Sequence, residues 1–149
     1  LIMAINTITI SMPRDPEQFR EAVCTEAITP GMLLLLTSAG AVEPQPNAST
    51  LLPAYVAVEN ISNAGDLDTA YASGDTVRYV VPKTGDKLYM WLEETQSTTA
   101  NTTLLVADTL DDGTLKAAGA ETGRELKFIA LESITAASSG RVRVQVEAL

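Results

Sequence analysis

The residues best suited to chemistry are scarce in this chain. It has no histidine and one cysteine, Cys24. Imidazole acid–base pairs, thiol–imidazole nucleophiles, Cys/His zinc clusters and an intrachain disulfide are therefore excluded. Cys24 reads as a small buried hydrophobe. The acids that stand close in sequence are Asp66 with Asp68, Glu93 with Glu94, and Asp108 with Asp111 and Asp112. The last group lacks the alternating ligands and terminal Glu of a calcium loop, and a turn accounts for the Gly113 beside it. The other two groups read as solvated acids next to loops. Gly74, Gly85, Gly113, Gly119 and Gly123 stand singly, without the strand–loop–helix setting of a phosphate cradle. The expectation is no enzyme, no catalytic residues, no metal site and no cofactor.

The basic and aromatic residues suggest contacts rather than catalysis. Arg141 and Arg143 share one face of an alternating segment with Glu147, and Lys83 and Lys87 flank a turn that also holds Asp86. Such charges form either a solvated face or a salt-bridged contact face. Tyr79, Tyr89 and Trp91 alternate along two segments and read as cross-strand packing. With 19 acidic against 10 basic side chains the net charge is −9, which repels nucleic acid and anionic lipid. Neither is an expected partner. A hydrophobic fraction of 46% is too high for a disordered chain. The apolar runs, such as Met32 to Leu36, are far shorter than the roughly 20 residues of a membrane-spanning helix. Leu1-Ile2-Met3-Ala4 lacks the charge and apolar stretch of a secretory signal. The sequons at Asn47, Asn60 and Asn101 matter only in a glycosylating compartment.

Short β-prone segments must position these side chains. Ala4 to Met12 carries Ile5, Ile8 and Ile10 and is cut off by Pro13 and Pro16, so it is expected to leave the domain as an extended arm. Asp15, Pro16 and Gln18 resemble a capping box for a short helix ending near Cys24 to Glu26, and Asp66 could cap one further turn. Met32 to Leu36 and Val42 read as a hairpin after the turn at Thr29-Pro30-Gly31. Ala54 to Val58 is a further strand, and Asn60 to Ser73 a surface excursion. Thr76 to Val81 and Lys87 to Leu92 flank Pro82 to Asp86 and are expected to pair as an antiparallel hairpin, with Leu88, Met90 and Leu92 on one face and Tyr89 and Trp91 on the other, one face packing the interior. Leu104 to Ala107, Lys127 to Leu131 and Arg141 to Glu147 complete the set. So many strands with so little helix suit a small antiparallel β-barrel or sandwich. The fold class expected is mostly β, with an extended N-terminal arm over residues 1–12, one or two short helices, and a single β-rich domain over 13–149.

Several elements occur in an order that resembles a known family: Ile28-Thr29-Pro30-Gly31 before an apolar strand and Thr37-Ser38-Ala39-Gly40, then Tyr55-Val56-Ala57-Val58-Glu59-Asn60. They continue with Asp68-Thr69-Ala70-Tyr71-Ala72-Ser73-Gly74-Asp75, then Pro82-Lys83-Thr84-Gly85-Asp86, and end in Ala130-Leu131-Glu132. The chain is similar in this to the head decoration, or capsid cement, proteins of tailed bacteriophages, over about residues 28 to 132. The resemblance implies a structural virion protein, made in the host cytoplasm, that binds the outer surface of an expanded icosahedral head and clamps neighbouring subunits. The implied partners are the major capsid protein and further copies of the chain itself, as a homotrimer on the shell. It implies that Gly31, Gly40, Gly74 and Gly85 set turns. Competing readings are a phage tail or baseplate protein and a glycan-binding β module. The interface candidates are Ile5, Ile8, Ile10, Tyr71, Arg78, Lys83, Trp91, Arg141 and Arg143.

Overall fold

The computed structural model describes residues 7–11, 16–46, 53–61, 65–108, 112–119, 128–135 and 140–149. Within them run β1 (Thr9–Ser11), β2 (Phe19–Val23), β3 (Leu33–Leu36), β4 (Val42–Pro44), β5 (Tyr55–Ala57) and β6 (Thr76–Val80). They are followed by β7 (Lys87–Leu92), β8 (Leu104–Ala107), β9 (Leu115–Ala117), β10 (Phe128–Ala130) and β11 (Val142–Ala148).

One sheet has the order β1-β7-β11-β10-β8-β9, and a parallel contact of Leu92 with Leu115 joins β9 back to β7. Strands β7, β11, β10, β8 and β9 thus close into a five-stranded barrel. Closure follows from side-chain alternation. Along β7, Leu88, Met90 and Leu92 are fully buried, and along β11 Val144, Val146 and Ala148 are buried, while intervening residues face outward. The register places Val144 opposite Met90 and Arg143 opposite Trp91.

A second antiparallel sheet has the order β2-β6-β5-β3-β4. It bends round until Cys24, just after β2, bridges Val42 of β4. Its two faces serve two cores. Leu33, Val56 and Val80 join the barrel residues in one cluster. Leu34, Ala57, Val77 and Tyr79 join Cys24, Ile28, Met32, Val42 and Tyr71 in another.

Three expectations about the fold are corrected. No α-helix exists among the described residues: Pro16–Gln18 make one 3-10 turn, and Phe19–Val23, expected to be helical, is a strand paired residue by residue with β6. Helical preference in this segment lost to the backbone hydrogen bonds of a ready sheet edge, while Asp15, the expected cap, lies outside the described residues. Near Asp66 the carboxylate does act as a cap, accepting from the Asp68 amide (2.9 Å) and the Thr69 hydroxyl (3.0 Å), but it closes a turn and not a helix.

The arm is corrected over the residues described. Ile8 is fully buried in the barrel cluster, and Thr9 and Ser11 pair with Leu88 and Lys87 of β7. Ile5 and the rest of residues 1–6 lie outside the described residues.

The third correction concerns the hairpin: β6 and β7 do not pair, and each belongs to a different sheet. The connection at Pro82 to Asp86 is a crossing point. Asp86 is fully buried there, its Oδ2 accepting from the Lys83 amide (2.8 Å) and from Gln18 Nε2 (2.8 Å). Gln18 Nε2 also donates to Val81 O (3.2 Å), and the Val81 amide donates to Gln18 O (2.8 Å). The chain is thereby tied to the segment before β2. The other expected hairpin is present, with Leu34 to Leu36 paired to Val42 to Pro44.

Candidate functional site

The outward face of β7 and β11 gathers the most unusual side chains of the protein. Trp91 and Arg143 are cross-strand partners, and Arg141 lies two residues along the same face. The Arg143 guanidinium carbon stands 4.2 Å from the Trp91 ring centroid and that of Arg141 4.7 Å. Both are cation–π distances.

Arg143 is a clamp. Its side chain is only 8% exposed, and Nη1 reaches Asp68 Oδ1 at 2.9 Å. Nη2 donates to Pro30 O (3.2 Å) and to Leu67 O. Trp91 Nε1 donates to the same Pro30 carbonyl at 3.0 Å. One guanidinium and one indole therefore fasten both the Thr29-Pro30-Gly31 turn and the 65–71 excursion to the barrel wall. The close approach requires Gly31: its φ is +95°, and a Cβ there would sit 3.0 Å from Tyr89 O and 3.4 Å from Arg143 Nε.

Arg141 makes no ion pair among the described residues. Glu93, the residue after β7, directs its carboxylate elsewhere, accepting from the Thr95 hydroxyl (2.7 Å) and Gln96 Nε2 (3.3 Å). The Thr95 hydroxyl in particular holds the Glu93 carboxyl below its ordinary range. Tyr89, on the same face, has its phenol pushed up by burial.

The remaining candidates do not converge here. Ile8 and Tyr71 are buried, so neither is on the surface as an interface residue. Tyr71 instead donates to Val58 O (2.8 Å) and bridges Ile28, and its burial pushes the phenol up to about 12. Ile10 is half-buried on β1. Arg78 stacks over Phe19 at 4.4 Å on the second sheet, and Lys83 is exposed at the crossing turn. Among the described residues, no group of three or more Cys, Asp or Glu side chains converges as metal ligands would.

Sequence reasoning missed the contributions of Pro30, Leu67 and Asp68. Two of the three act through backbone carbonyls, which carry no residue signature. Asp68 reads in sequence as a solvated acid, and with its side chain 82% exposed it is largely that. No protein-family model matches the chain, and no curated protein matches it.

Proposed function

We propose that this chain is a structural virion protein that docks on the outer surface of an expanded icosahedral phage head and clamps neighbouring major capsid subunits. The observation that carries the reading is where the family-like elements fall in space. Three of them, Ile28 to Gly31, Tyr55 to Asn60 and Asp68 to Asp75, are far apart in sequence and interlock. Ile28 bridges Tyr71, the Gly31 amide donates to Ala57 O (2.8 Å), and the Tyr71 hydroxyl donates to Val58 O. The Gly74 amide in turn donates to Cys24 O at 2.9 Å. These three elements thus form one structural unit, and the four glycines of the resemblance all hold positive φ. A cement role also suits a rigid barrel whose outward arginines are fixed by stacking, since fixed side chains lose little entropy on docking. Three linked copies on the shell would turn modest contacts into tight attachment. A glycan-binding reading is weaker, because the Trp91 ring already carries two guanidinium groups of its own chain.

The test is cosedimentation with undecorated heads, in expanded and unexpanded forms. Saturable binding to expanded heads alone is expected. Equal binding to both forms counts against clamping, and binding to neither overturns the reading.

A further inference from the structure

We propose that Arg141, held on the Trp91 ring, is the recognition point for a carboxylate side chain on a protein partner. The two arginines of this face are unequally committed. Arg143 spends its Nη1 and Nη2 donors on Asp68, Pro30 and Leu67. Arg141 has the ring contact at 4.7 Å and no ion pair among the described residues, and the nearby Glu93 is turned to Thr95 and Gln96. A guanidinium whose carbon stands over an indole is held by the ring and not by its N–H groups, which form the planar fork that matches a carboxylate. Half-burial strengthens such a pair relative to one in open water.

The kind of anion follows from charge. The whole chain carries −9, so a polyanion such as nucleic acid is repelled at every other approach, whereas a single acid on a docking surface needs to meet only Arg141, beside an Arg143 whose charge Asp68 already offsets. A free carboxylate would be held only in the millimolar range or weaker, so the partner must supply surrounding surface as well. This deepens the capsid-docking reading and rests on it for the identity of that surface.

Two arms test it in the full chain. In the first, wild type, Arg141→Ala, Arg141→Lys and Arg141→Glu are cosedimented with undecorated expanded heads, with Arg20→Ala as a control for loss of the same charge elsewhere. Arg141→Ala should weaken binding by about tenfold or more. Arg141→Lys should be intermediate, Arg141→Glu weakest and Arg20→Ala unchanged. If Arg141→Ala binds as tightly as wild type, the proposal is overturned while the docking reading stands. In the second arm a short glutamate peptide is titrated and followed by fluorescence of Trp91, the one tryptophan in the chain. A saturable change in wild type that Arg141→Ala abolishes supports the proposal even if no head is bound. No change in wild type, or an equal response to a single-stranded oligonucleotide, overturns it.

Discussion

Arg143 and Asp68 form an ion pair whose two halves have unequal weight. Asp68 is 82% exposed on its side chain, so water and salt screen its share, and such pairs contribute about 0 to 1 kcal/mol. Arg143 is buried and serves two backbone carbonyls and the indole, so removing it strands acceptors at about 1 to 3 kcal/mol each. Urea denaturation should therefore show Arg143→Ala losing about 2 to 4 kcal/mol and Asp68→Ala losing less than about 1. Equal losses would mean that the ion pair, and not the carbonyl clamp, holds the excursion. Tyr71 gives a prediction in pH. Its folded phenol titrates at about 12 because it is buried, above the ordinary value of 10.0. Between those values the unfolded chain has lost the proton and the folded chain keeps it, so stability is intact below pH 10 and falls as pH rises toward 12. Thermal melts across this range should show a shallower fall for Tyr71→Phe than for wild type. The convergence of Arg141, Arg143 and Trp91 was partly legible, since the i, i+2 spacing put both arginines on one strand face. Their shared ring was not, because it depends on the register between β7 and β11.

At the scale of elements, the segments were easier to find than their partners. Strands β3, β5, β7, β8, β10 and β11 lie within stretches whose composition announces them. The Pro82 to Asp86 turn reads as a hairpin loop in sequence, and nothing local reveals that a glutamine 68 residues away captures Asp86 and sends the chain to another sheet. Likewise Phe19-Arg20-Glu21-Ala22-Val23 is ambiguous on its own and becomes a strand because β6 offers it an edge. Two predictions follow from these junctions. Asp86 Oδ1 is buried and has no hydrogen-bond partner among the described residues, whereas Oδ2 accepts two donors. Asp86→Asn keeps an acceptor for both donors but sets a buried amide NH2 where Oδ1 has no partner, so it should lose about 1 to 3 kcal/mol. Asp86→Ala should lose about 2 to 4 kcal/mol by leaving the Lys83 amide and Gln18 Nε2 without an acceptor. A loss in Asp86→Asn larger than in Asp86→Ala would show that the charge itself is required. The second junction is β1: with Ile8 fully buried, Ile8→Ala should cost about 2 to 5 kcal/mol in the same assay, where a detachable arm would cost nothing.

For the molecule as a whole, the question is whether barrel and second sheet are one folding unit. The packing answers through Leu33, Val56 and Val80, which belong to the second sheet yet are fully buried in the cluster that fills the barrel. Neither sheet can leave without exposing the other's core, and the Arg143 clamp and the buried Asp86 crossing join them again. Unfolding should therefore be a single transition, with β-sheet circular dichroism and Trp91 fluorescence giving coincident midpoints. Val56→Ala makes the sharper test because it alters only the second sheet's side of the shared core. It should cost about 2 kcal/mol, and the cost should be read equally by amide exchange in β11 of the barrel and in β6 of the second sheet. If exchange in β6 accelerates while β11 keeps its wild-type protection, the sheets open separately. The Trp91 face, where the barrel wall is fastened to two loops of the second sheet, would then be assembled only in the fully closed molecule.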